Sequence, residues 1–211
     1  MANPAHVELL KSGAKQWNRK TPDKPDLSEA DLADERIAGA NLTGANLTKA
    51  NLSWADLTGA DLSYANLTKA DLTGADLADA DLTAADLTEA DLTKADLTGA
   101  DLADADLSYA DLTKTGLTGA NLTKAVLTGA VLTGADLSYA DLTGADLTGV
   151  DLTALLADLL AKAERIQAEH IQAQRLKAQA AEAPRNKTFL TKTSCPACGM
   201  VLDPMTGKCR C

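Results

Sequence analysis

The side chains best suited to chemistry lie at the C-terminal end of the sequence. All four cysteines fall within the last 17 residues, as Cys195-Pro-Ala-Cys198-Gly199 and Cys209-Arg210-Cys211. A Cys-x-x-Cys pair followed by glycine makes a tight turn whose amides face the sulfurs, and a second close pair completes a tetrahedral thiolate set. The pattern predicts a structural zinc held by Cys195, Cys198, Cys209 and Cys211, in a knuckle or minimal ribbon. Two disulfides are the rival pairing, disfavoured in a reducing compartment. Four protein ligands leave no open coordination position, so this metal would not be catalytic. The two histidines, His6 and His170, fall on predicted helices with no nucleophile in reach, and no glycine-rich phosphate loop is present. The sequence therefore predicts no enzyme activity and no catalytic residue.

The segment that must carry these residues is a short exact repeat. From Asp26 to Leu152 the pattern Ala-(Asp/Asn)-Leu-(Thr/Ser/Ala)-x recurs 26 times, with leucine at every fifth position from Leu27 and isoleucine once, at Ile37. The alanine position departs at Pro25, Glu35, Thr115 and Val150, and the Asp/Asn position at Arg36, Gly116, Val126 and Val131. On an α-helix five residues advance the side chain by about 140° net, so the leucines would scatter round the cylinder. On a flat strand an odd period would send successive leucines to opposite faces. What remains is a chain bent once per repeat, with leucine and the preceding alanine inward and three positions outward. The coil must close on itself and stack as a solenoid.

These repeats resemble those of the pentapeptide-repeat family across about 127 of the 211 residues. The resemblance implies an all-β solenoid, a right-handed quadrilateral β-helix with one repeat per side. Four repeats per turn would give about 6.5 turns and a rod about 31 Å long at the inter-strand spacing. The expected domains are an N-terminal capping helix and joint over 1–25, the β-helix over 26–152, a C-terminal helix over 153–183, and a linker with the four-cysteine, zinc-ribbon-like tail over 184–211. Residues 4–17 read as one helix with Val7, Leu10, Ala14 and Trp17 on a shared face that would cover the first coil, and 15–25 as a polar joint. The repeat at Glu35-Arg36 reads as a coil not yet in register. After Leu152 the apolar spacing becomes helical, through Leu155, Leu156, Leu159, Leu160, Ala163 and Ile166, and Pro184 ends it.

Charge is distributed unevenly. Residues 26–152 hold 20 Asp and 3 Glu against 5 Lys and 1 Arg, a net of −17, whereas the 25 residues before carry +3 and the 59 after carry +4, giving −10 in all. The sequence lacks a basic and apolar leader and any apolar run near 20 residues, so it reads as cytoplasmic with no membrane span. The expected role is a non-enzymatic scaffold or protein-interaction module on an acidic rod, with an unidentified protein partner and no direct nucleic-acid binding by the rod. The C-terminal helix would offer a docking or homodimer surface, since the resemblance implies that some gyrase-protecting members dimerise through a C-terminal segment. The alternative is a DNA-mimicking regulator of a DNA-binding enzyme such as gyrase, because −17 over about 31 Å is about one charge per 1.8 Å, against about 1.7 Å for duplex DNA. The family's known DNA mimics often carry central phenylalanines, and some rely on projecting loops; this array has neither. Outward, Trp54, Tyr64, Tyr109 and Tyr139 occupy the corner position, and Val126 and Val131 replace aspartate.

Overall fold

The computed structural model describes residues 1–151, 153, 164–165 and 167–177. The chain divides into two compact units, Met1–Lys162 and Ala163–Cys211. In the first, 21 parallel bridges each join residues 20 apart, from Asp26 with Asn46 to Val126 with Asp146. Four five-residue sides therefore make one coil, and each repeat contributes a single bridged residue, the Asp/Asn position, in place of a long strand.

Every repeat bends in the same way. The carbonyl of the central residue accepts from the N–H three positions on, in 25 successive turns from Leu27–Ala30 to Leu147–Val150. The third residue of each turn has positive φ, as in Gly59 at 61° and Tyr64 at 58°. A type II turn demands that sign, which explains the abundance of glycine there.

Backbone hydrogen bonding explains the rest of the motif. Around Leu87, its own N–H donates to Asp106 O (2.7 Å), the Glu89 N–H to Ser108 O (2.9 Å), and the Asp106 N–H to Ala85 O (2.9 Å). The turn takes the alanine N–H, which leaves one amide per repeat, that of Thr88, with no carbonyl of the ladder. Asp86 Oδ1 accepts it at 3.0 Å. The same bond recurs from Ser28 to Thr153, with asparagine serving at Asn41, Asn46, Asn51, Asn66 and Asn121. The motif's Asp/Asn choice thus supplies an acceptor to an amide that would otherwise depend on water. The repeat needs that oxygen, though not its charge. Asp86→Ala should cost about 1 kcal/mol, the typical net value of one hydrogen bond, and Asp86→Asn close to nothing, both measured by urea unfolding at neutral pH.

Inside the coil, Leu27 to Leu132 and the alanines from Ala40 to Ala125 are almost wholly buried. Leu137, Leu142 and Leu147 are only partly covered. The four departures at the alanine position have local reasons. Pro25 opens the first side, where no preceding turn needs its N–H, and its carbonyl still accepts from Asn46 (2.8 Å). Glu35 meets Lys11 at 3.3 Å. Thr115 is buried, and its hydroxyl donates to Leu92 O at 2.7 Å. Val150 sits among the partly covered side chains. The coil at Glu35-Arg36 is in register, contrary to the reading from sequence, because Arg36 pairs with Asp56 and the Ile37 N–H reaches Asp56 O.

The single helix expected over 4–17 is two: α1 (Pro4–Lys11) and α2 (Ala14–Lys20). Asn3 caps α1 by accepting from the Ala5 N–H, and Pro4 fits the first turn. Gly13, at φ 102°, turns the chain between them, a conformation closed to most other residues. Leu10 and Trp17 nevertheless reach the core together, with Val7 and Ala14 half-buried beside them. The polar edge of the first coil is met by this segment. The Asn3 N–H donates to Asp26 O (3.0 Å), the Asp26 N–H to His6 Nδ1 (3.0 Å), the Asn41 N–H to Asn18 Oδ1 (2.7 Å), Asn18 Nδ2 to Gly39 O (2.8 Å), and Trp17 Nε1 to Asn41 O.

In the second unit, residues 164–165 and 167–177 are helical where described, within the helix expected over 153–183. The four cysteines, and the expected zinc site with them, lie outside the described residues.

Candidate functional site

The described residues gather no catalytic constellation. His6 is occupied in accepting the Asp26 amide, and His170 lies beside Gln174 on an exposed helical stretch. No group of three or more His, Cys, Asp or Glu able to hold a metal is found among the described residues, and none of their buried side-chain polar atoms is left unbonded. A concavity on the helical stretch is lined by Ala168, Ile171, Gln172, Arg175 and Leu176, which offer no acid, base or nucleophile. The candidate site is therefore the outer surface of the rod.

Four columns of the Asp/Asn position run along that surface. Asp56, Asp76 and Asp96 are successive members of one, and Asp61, Asp81 and Asp101 of the next. Carboxylates about 4.8 Å apart repel by about 0.9 kcal/mol in water before salt screening. Local bonds keep several of them charged. Hydroxyl and backbone bonds from Ser28 hold the Asp26 carboxyl below the usual carboxylate range, and Thr143 and Thr148 do the same for Asp141 and Asp146. At Asp61 burial pushes the other way, but the Ser63 hydroxyl and amide, with the Thr43 hydroxyl, outweigh it. A carboxyl lowered in the folded state stabilises fully above its unfolded value, about 3.9, and loses that contribution as pH falls through the folded one. Thermal midpoints should accordingly be flat from about pH 5 to 8 and fall in acid. Replacing Asp26, Asp61, Asp141 and Asp146 together by asparagine, which keeps the acceptor, should flatten the acid limb; an unchanged acid limb would contradict the assignment.

The corners carry the variation. Trp54 folds onto Gly74, where an added Cβ would stand 2.5 Å from ring carbons, and Tyr109 lies over Gly129, where an added Cβ would stand 2.8 Å from ring carbons. These two rings are each paired with a glycine 20 residues later, whereas Tyr64 is followed at that distance by Ala84, a pairing visible only once the coil length is known. Trp54, Tyr64, Tyr109 and Tyr139 remain well exposed, on four different corners. Lys69 pairs with Glu89 at 3.2 Å, one coil on.

The acidic columns are interrupted along one coil. Gly116, Asn121, Val126 and Val131 are consecutive repeats, so a full turn of the coil lacks acid on all four sides, and Asp96 and Asp136 are separated by Gly116.

The pentapeptide-repeat family model matches residues 26–63, 65–103, 80–119 and 117–153 in 8 copies. The chain belongs to the pentapeptide-repeat family. Members form right-handed β-helices, the architecture expected from the repeats, and the four-sided coil described above is this chain's version. Among solved structures, HetL, a pentapeptide-repeat protein involved in heterocyst differentiation regulation from the cyanobacterium Nostoc sp. strain PCC 7120, is 37% identical over 61% of this chain and 68% of its own, with TM-score 0.36. A pentapeptide-repeat protein of the Arabidopsis thaliana thylakoid lumen is 36% identical over 47% of this chain and 66% of its own, with TM-score 0.29. QnrB1, a plasmid-mediated fluoroquinolone resistance protein, is 27% identical over 62% of this chain and 64% of its own, with TM-score 0.35. The chain thus spans just under two thirds of the latter two. Comparison with curated proteins gives no match.

Proposed function

We propose that this pentapeptide-repeat chain is a non-enzymatic interaction module whose acidic rod presents a binding surface to another protein. The observation that carries the reading is the division of labour within the repeat. The inward positions are nearly invariant and the hydrogen-bonding position is fixed by the backbone, so identity is written only in outward side chains. The helices α1 and α2 serve as a cap that blocks end-to-end stacking, supported by their bonds to the first coil. The tail cysteines Cys195, Cys198, Cys209 and Cys211 hold one structural zinc in a reducing, cytoplasmic setting, a reading supported by their spacing. Among the described residues no helix is long and apolar enough to cross a membrane.

A gyrase decoy is the second reading, favoured by the charge density of the rod and by likeness to QnrB1. The acid-free turn weighs against it, because a DNA mimic profits from unbroken charge spacing. A supercoiling assay with the purified chain separates the two: the module reading expects no effect on gyrase, and salt-sensitive inhibition or protection would overturn it. Affinity capture with the full chain and with one ending before Ala183 then assigns recruitment to rod or tail. Elemental analysis should find one zinc per chain, lost on Cys198→Ser, whereas a metal-free protein with no free thiol would mean disulfides.

A further inference from the structure

Between Leu112 and Ala135 the rod carries no aspartate or glutamate and two lysines, Lys114 and Lys124. This belt breaks the molecule's own rule at a structural cost. Val126 and Val131 have no side-chain oxygen for the amides of Thr128 and Thr133, the bond that Asp or Asn makes in nearly every other repeat. Val131 is 44% exposed and Val126 half-buried. The corners between and beside them are glycines, Gly129 and the exposed Gly134, and the Tyr109 ring packs against Gly129. A local rule broken without structural gain marks a surface kept for another purpose, and an uncharged aliphatic and aromatic patch rimmed by charge is the anatomy of a docking site.

The rim specifies the occupant. Val126 is bridged to Asp106 on the coil before and to Asp146 on the coil after, and Val131 follows Asp111. Two coil spacings put the flanking carboxylates about 10 Å apart along the rod, and seven residues of α-helix span about 10.5 Å. Resting on the interaction-module reading, we infer that the belt around Val126, Val131 and Tyr109 docks a helix of another protein that carries apolar residues between two basic residues seven positions apart. The basic groups pair with the acidic columns above and below, and the apolar centre covers the valines.

The test titrates the full chain against a fluorescein-labelled, alanine-based helical peptide with lysine at positions i and i+7 and leucine at i+3 and i+4. Saturable binding is expected, weakened at least tenfold by Val126→Asp with Val131→Asp and at least tenfold by Lys→Gln in the peptide. The double variant restores the missing acceptors, so its thermal midpoint should stay within a few degrees of the parent or rise, which separates lost docking from lost fold. Val126→Asn with Val131→Asn, adding the acceptor without charge, should weaken binding too. Absence of binding, equal binding to parent and variant, or equal binding by a peptide without leucines overturns the inference. Parent self-association in sedimentation velocity that the double variant abolishes would give the belt to a second copy instead. If the belt fails while the full chain still captures a partner unaffected by the double variant, the helix-docking inference falls and the interaction-module reading stands.

Discussion

Leu87→Ala is expected to lower the unfolding free energy by about 2 to 5 kcal/mol, because a buried leucine in a narrow tube leaves a cavity that neighbours cannot fill. Leu87 is fully buried in the middle of the ladder, with its N–H bonded to Asp106 O at 2.7 Å. The coils above and below are held in rungs by their own hydrogen bonds, so they cannot collapse onto the gap. Leu142 is only partly covered, and Leu142→Ala should cost less than half as much. Urea unfolding of both variants beside the parent checks the pair. Equal losses would mean that burial does not follow the ladder as described.

Trp17→Ala should be the most damaging change outside the repeats, at about 3 to 5 kcal/mol for a fully buried tryptophan. It has a second consequence that Leu87→Ala does not share. Trp17 fills the core under α2, and its indole N–H donates to Asn41 O on the first coil. Without it the first coil presents apolar side chains and unpaired backbone groups, a template for edge pairing. The variant should therefore form concentration-dependent oligomers in sedimentation velocity. Trp17→Phe, which keeps most of the volume and loses one hydrogen bond, should cost about 1 kcal/mol more than its lost burial and remain monomeric if the parent is. A Trp17→Ala variant that stays at the parent's oligomeric state would show that α1 and α2 do not act as a cap.

Much of the rod was legible in the sequence because a period of five is incompatible with both α and flat β geometry, and leucine with alanine marks the interior directly. The coil length came from family resemblance, and the 20-residue bridges now give it independently. Other parts were hidden for physical reasons. The helical spacing of Val7, Leu10, Ala14 and Trp17 survives an interruption, so it could not reveal the turn at Gly13 that splits the helix. Glu35 looked like a fault in the repeat because its partner, Lys11, comes from a helix far away in three dimensions until the chain folds. The structural duty of aspartate was hidden because a sequence displays its charge, whereas the unmet amide of the residue two places on is visible only when the rungs are drawn. The acid-free belt was present as three departures, Gly116, Val126 and Val131, around the uncharged Asn121; their joining into a closed ring required the four-sided coil.

Distance along the rod tests the central claim most directly. Gly39, Gly59 and Gly119 share one corner column, and an added Cβ at any of them meets nothing within 4 Å. With the tail cysteines replaced by serine, spin labels on Gly39→Cys with Gly119→Cys should give an electron–electron distance near 19 Å, four coil spacings, broadened by the label linkers, and Gly59→Cys with Gly119→Cys about 14 Å. Eighty residues of helix would instead separate the first pair by about 120 Å, and a distance beyond about 35 Å, or one that fails to grow by about 5 Å per 20 residues, would contradict a four-sided coil of stacked pentapeptides.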